Sequence, residues 1–145
     1  MEQIRMLSTL GLMGAMRSLS AAFETATGLH VDADFAPTLA LLKRLRAGEA
    51  ADLVILTREG LDEMIGEGRV IADTTADLAR SYVGLAVREG APHPDIASEA
   101  ALRKALLAAR SVAYSRLGAS GVYFAQLIVR MGIAEEINAK ATIVE

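Results

Sequence analysis

Residues 111–132 read Ser-Val-Ala-Tyr-Ser-Arg-Leu-Gly-Ala-Ser-Gly-Val-Tyr-Phe-Ala-Gln-Leu-Ile-Val-Arg-Met-Gly. The apolar run Ser111–Tyr114 predicts a short strand. Gly118-Ala119-Ser120-Gly121 is a small-residue turn, and a helical pattern begins at Val122 and stops at Gly132. A strand, a tight turn and a helix in that order leave N–H groups unpaired at the helix start, where the helix dipole also favours negative charge. The junction is a candidate anion site around Ser120 and Gly121. Ser120 reads equally well as a plain N-cap.

The same junction recurs upstream, and the recurrence decides the fold. Ile4–Leu7 predicts a first strand, followed by Ser8-Thr9. Leu10, Met13, Met16, Leu19, Ala22, Phe23 and Ala26 then repeat at helical spacing, and Gly28 is the stop signal. Leu29–Phe35 alternates and predicts a strand, with Asp32 and Asp34 on its solvated side. Ala36-Pro37-Thr38 opens a second helix, striped by Leu39, Leu41, Leu42 and Leu45, with Lys43, Arg44 and Arg46 on a wet face. Asp52–Leu56 is nearly all apolar, as in a strand covered on both faces. Thr57 and Arg58 lead into a short helix, Leu61–Ile65. Strand and helix alternate three times, which predicts an α/β fold with a parallel sheet. Such sheets bind ligands beyond the carboxyl ends of their strands, where Ser8, Thr9, Thr38 and Thr57 stand.

Downstream, Tyr82–Val87 predicts another strand, and Ser98 caps a helix whose buried side is Leu102, Ala105, Leu106 and Ala109. Ile133–Lys140 predicts a last helical turn or two, and Ala141–Val144 a last strand.

Bulk properties narrow the function. The 145 residues suit one domain or two small lobes, and 52% hydrophobic content supports a packed core. Formal charge of −3 gives no basic footprint for nucleic acid or an anionic membrane. The absence of Cys and the presence of only two His argue against metal sites, cofactors held by thiolates, and nucleophilic catalysis, so no catalytic residue is named. No basic leader with a long apolar stretch is visible, and the run Met6–Met16 is too short to span a bilayer. As written, the chain reads as soluble and cytoplasmic.

Two tempting motifs fail on spacing. Gly11-Leu12-Met13-Gly14 lacks the glycine spacing of a dinucleotide fingerprint, and Gly118-Ala119-Ser120-Gly121 lacks the Lys-Ser/Thr of a phosphate loop. What remains is a set of hydroxyls at strand-to-helix junctions. Any one of them reads as an N-cap, whereas three together point to a neutral oxyanion site.

Several stretches resemble the molybdate-binding type of periplasmic solute-binding proteins. They are Leu7-Ser8-Thr9, Phe35-Ala36-Pro37-Thr38, Gly48-Glu49-Ala50-Ala51-Asp52-Leu53-Val54-Ile55-Leu56 and Ala119-Ser120-Gly121-Val122-Tyr123-Phe124-Ala125 with Met131-Gly132-Ile133. The resemblance implies two α/β lobes with an oxyanion held between them. It places the first lobe at residues 1–79, and a crossover strand with a partial second lobe at 80–145. It implies Ser8, Thr9 and Thr38 as first-lobe donors, Ser120 and Gly121 as second-lobe donors, no cofactor, and no enzymatic activity. An ABC permease would be the transport partner and the periplasm the site of action once a leader is removed. A sensory or regulatory module of the same fold is the alternative. The family continues beyond the point matching Glu145, so the second lobe is expected to be short and completed in a homodimer. A single-chain mass by light scattering would overturn that expectation.

Overall fold

The structure is a computed structural model that describes residues 3–144; Met1, Glu2 and Glu145 lie outside the described residues. It divides into two compact units between Ser81 and Tyr82.

Unit 1 holds a parallel sheet of three strands in the order β2-β1-β3, namely β1 (Gln3–Thr9), β2 (His30–Ala36) and β3 (Leu53–Ile55). Helices α1 (Met13–Thr27), α2 (Thr38–Arg46) and α3 (Arg58–Gly66) follow the three strands in turn. A short 3-10 turn, Leu10–Leu12, separates β1 from α1. Gly28 ends α1 in the left-handed region at φ 76°, donating its N–H to Glu24 O at 2.8 Å. Leu7 of β1 packs with Leu41, Leu42 and Leu45 of α2 and Met64 of α3, and this aliphatic cluster is the core. The apolar stripe of α1 is not buried: Leu19 and Phe23 are exposed. Nor is β3 covered on both faces, because Leu53 is half exposed and only Ile55 is buried.

The sheet is locked from one side by charge. Arg5 of β1 reaches Asp32 (2.8 Å) and Asp34 (3.4 Å) of β2 and Glu49 (3.2 Å) in the loop after α2. Arg44 of α2 grips Glu49 and Asp34, each at 2.6 Å. Asp32 and Asp34 are therefore not a bare solvated strand face, and Arg44 is not on an idle wet one. Asp52 closes the group by accepting the Arg5 N–H at 2.8 Å. The motif Gly48–Asp52 thus ties a loop to a sheet.

Unit 2 holds a two-stranded parallel sheet of β4 (Val112–Ser115) and β5 (Ala141–Val144). Its helices are α4 (Glu99–Ala108), α5 (Ala119–Arg130) and α6 (Ala134–Asn138). Leu106, Ile128, Met131, Ile133 and Ile137 form its core. Lys140 donates from Nζ to the carbonyls of Leu106, Leu107 and Ala109 at 2.9, 2.7 and 2.6 Å, so an ammonium finishes α4. The Ser98 cap is formed as expected, its Oγ accepting the Ala101 N–H at 3.1 Å.

One expected element is missing. Tyr82–Val87 forms no strand; Tyr82, Val83, Leu85 and Val87 are all exposed. β-propensity yields a strand only where a neighbour supplies the hydrogen-bond ladder, and no described strand pairs with this segment. The mixed α/β fold with parallel sheets is as read from the sequence, and only this strand is lost.

Candidate functional site

Parallel pairing brings the carboxyl ends of the unit 1 strands side by side. Thr9 lies opposite Ala36, and Ser8 opposite both Phe35 and Ile55. Thr38 follows two residues after Ala36, so Ser8, Thr9 and Thr38 share one edge of the sheet. Alternation sends Ser8 and Thr9 to opposite faces of β1. Ser8 is fully buried, and its hydroxyl donates to Thr9 O at 3.2 Å. Thr9 precedes the 3-10 turn without a side-chain capping bond.

Thr38 is the first residue of α2 and is 6% exposed, with Pro37 in the capping position. Pro37 has no N–H and no capping oxygen, so α2 begins without a side-chain cap. The Thr38 hydroxyl is buried and has no hydrogen-bond partner. An unpaired buried hydroxyl costs about 1–3 kcal/mol, which the fold retains at the mouth of a helix dipole. The third junction behaves differently: Thr57 accepts the Gly60 N–H at 3.3 Å and is an ordinary N-cap of α3.

In unit 2 the junction differs from the sequence reading. Helix α5 starts at Ala119, so Ser120 and Gly121 lie inside its first turn. The capping position belongs to Gly118, and Ser120 makes no capping bond. The hydroxyl that orders the turn is Ser115, which accepts the Gly118 N–H at 3.0 Å. Sequence reasoning passed over Ser115; its signal was a Ser three residues before a glycine, as in a side-chain-closed turn. Gly121 is buried, and a Cβ there would collide with the carbonyl group of Ser115. The residue has a packing reason to be glycine. Ser120 is exposed. Each unit thus carries its own junctions: Ser8, Thr9 and Thr38 stand at one edge of the sheet in unit 1, and Ser120 and Gly121 in the first turn of α5 in unit 2.

Hydrogen bonds from Arg44, reinforced by Arg5, hold Glu49 down at about 2, and Arg44 likewise lowers Asp34. These charges satisfy one another within the Arg5–Arg44 lattice.

Comparison with known proteins places the chain. Residues 4–145 match the family described as bacterial extracellular solute-binding protein. The chain belongs to this family. A relative from Pseudomonas sp, named aconitate isomerase, is 38% identical over 147 residues, covering 97% of this chain and 56% of its own length. Two solved structures share the fold. One is the Azotobacter vinelandii periplasmic molybdate-binding protein, at 12% identity and a TM-score of 0.62 over 97% of this chain. The other is a Clostridium difficile substrate binding domain assigned to a molybdenum ABC transporter, at 13% identity and a TM-score of 0.56 over 100% of this chain. This solute-binding chain spans 56% of the Pseudomonas relative and 62–63% of the two structures. At such identities the structures speak for the fold alone, a periplasmic-binding-protein-like α/β fold. The enzyme name of the Pseudomonas relative stands against the expectation of a purely binding protein. Among the described residues no helix is long and apolar enough to cross a membrane.

Proposed function

We propose that this chain binds a small anion at the carboxyl edge of its unit 1 sheet, with Ser8, Thr9 and Thr38 as donors. The same reading makes Ser120 and Gly121, in the first turn of α5, the donors that unit 2 offers. In this reading residues 1–79 are a first lobe and 80–145 part of a second. The buried, unpartnered hydroxyl of Thr38 at the start of α2 carries the proposal, since a bound anion would supply the missing acceptor. The setting is extracytoplasmic, with an ABC permease receiving the solute; a permease gene beside this one would favour transport over a sensory role.

The anion itself divides the comparisons. Molybdate is what the two structures at 12 and 13% identity are named for, and they speak for the fold alone; the name of the relative at 38% points to a tricarboxylate. Fold is shared across ligands more freely than side chains are, so the carboxylate leads. Calorimetric titration with trans-aconitate, citrate, molybdate and sulfate decides. A saturable heat with at least one anion is expected. Thr38→Val weakens it at least tenfold while raising ligand-free stability by about 1 kcal/mol, because the orphaned hydroxyl is gone. No heat and no thermal shift with any of the four overturns the proposal. The name of the Pseudomonas relative favours a second reading, isomerisation, which needs only a proton donor and acceptor. Proton NMR of the trans-aconitate sample tests it, and an unchanged spectrum over hours excludes it.

A further inference from the structure

Unit 1 has a groove of about 370 Å³ between α1 and the outer strand β2, and neither Ser8, Thr9 nor Thr38 lines it. Its two ends differ in charge. At the carboxyl end of β2, the Arg17 guanidinium of α1 lies 5.7 Å from the centre of the Phe35 ring. At the amino end, Glu24 of α1 accepts the Val31 N–H at 2.7 Å and meets His30 Nδ1 at 2.8 Å. Asp32 also lines the groove, and Arg5 holds it at 2.8 Å. The carboxylates of the groove are therefore committed, and Arg17 is not. Among the described residues its contact is the Phe35 ring, and no hydrogen bond or ion pair engages its N–H groups. A guanidinium supported on its flat face keeps its N–H edge for an acceptor. Ser20, one turn further along α1, adds a hydroxyl to the same wall.

Strand register joins this groove to the hydroxyl edge. Phe35 is the residue opposite Ser8, and partners in register share a face of the sheet. Ser8, the Phe35 ring and the Arg17 guanidinium thus follow one another on the α1 side of the sheet, at its carboxyl end. The hydroxyls are neutral donors and suit one head of an anion. A positive charge beside them suits a second head, through charge-assisted bonds that a hydroxyl cannot match. Glu24 sets the limit, since like charge keeps an anion from the amino end of the groove.

We propose that Arg17 holds a second negatively charged head of the ligand, so that the protein selects anions by how many heads they carry. The proposal rests on the reading that the chain binds a small anion at the hydroxyl edge, and it adds a binding residue and a requirement for a two-headed ligand. Calorimetry on the full chain compares two organic acids, trans-aconitate and citrate, with two single-centre anions, molybdate and sulfate. Wild type, Arg17→Gln and Arg17→Lys are titrated. Arg17→Gln weakens trans-aconitate at least thirtyfold and changes the affinity of any single-centre anion less than threefold. Arg17→Lys, which keeps the charge and loses the planar fork, falls between. Phenylglyoxal modification of the wild type, read by mass spectrometry, gives a readout without mutation: saturating trans-aconitate shields Arg17. Four results overturn the proposal and leave the small-anion reading standing. They are organic-acid affinity unchanged in Arg17→Gln, an equal loss for single-centre anions, Arg17 modified as fast with trans-aconitate as without, and binding of single-centre anions alone. No heat with any of the four anions overturns both.

Discussion

In unit 1 the helix after β2 begins behind a proline and carries a buried hydroxyl with no partner. In unit 2 the helix after β4 begins behind a glycine and lies so close to the strand end that a Cβ has no room. The first junction keeps a buried hydroxyl unpaired, and the second is tightly closed by packing. The means of holding each unit together differ in parallel. A lattice of two arginines and three carboxylates spans β1, β2, α2 and the loop after α2 in unit 1. One ammonium on three carbonyls joins α4 to the start of β5 in unit 2. One strand-to-helix plan can therefore be stabilised by exposed charge pairs or by close contact, and the two respond to different insults.

Close contact is the more brittle, so the largest effect is expected there. Gly121→Ala puts a methyl group into the Ser115 carbonyl, a backbone atom that cannot swing away. A loss of about 3 kcal/mol is expected, confined to unit 2. Hydrogen exchange read by mass spectrometry would show β4, β5 and α5 losing protection while β1–β3 keep theirs. Unchanged protection in unit 2 would break the contrast at its strongest point. The second expected effect is smaller. Lys140→Met preserves the stem and removes the three bonds to the end of α4. About 2 kcal/mol is expected, again read as protection lost in α4 and β5 alone.

Much of this was legible in the sequence, and the misses share a cause. Periodicity located β1 to β3 and α1 to α3, since a helix stripe or an alternating strand is a local pattern. It failed at Tyr82–Val87, where the pattern is that of a strand but no described neighbour offers a ladder. It also failed at Asp32, Asp34 and Arg44, read as solvated because each looks polar among its sequence neighbours. Their partners are 10 to 29 positions away or belong to another element, and pairing at that range leaves no local trace. At the candidate site the residue types at strand ends were readable: Ser8, Thr9 and Thr38 do share an edge. Which hydroxyl would be left unpartnered was not, because that depends on Pro37 filling the cap and on burial of the Thr38 side chain.

Acid should separate the units most gently. Glu49 ordinarily titrates near 4.5 and is held at about 2 by Arg44 and Arg5 in the folded state. Asp34 is lowered as well, first by the hydrogen bond from Arg44. A carboxylate lowered on folding stabilises the fold above its ordinary value, and that contribution is lost as the pH falls towards the folded value. Unit 1 should therefore hold its protection down to about pH 4.5 and lose it progressively towards pH 2. These side chains are about a third exposed, so water and salt screen them and the loss is modest. Protection factors for β1, β2 and α2, corrected for intrinsic exchange and followed from pH 6 to pH 3, should fall relative to those of β4 and β5. Glu49→Gln should flatten that fall, because the variant has already lost the charge that acid removes. Parallel decline of both units, or a slope untouched by Glu49→Gln, would mean that the lattice does not distinguish unit 1 and that its aliphatic core alone sets its stability.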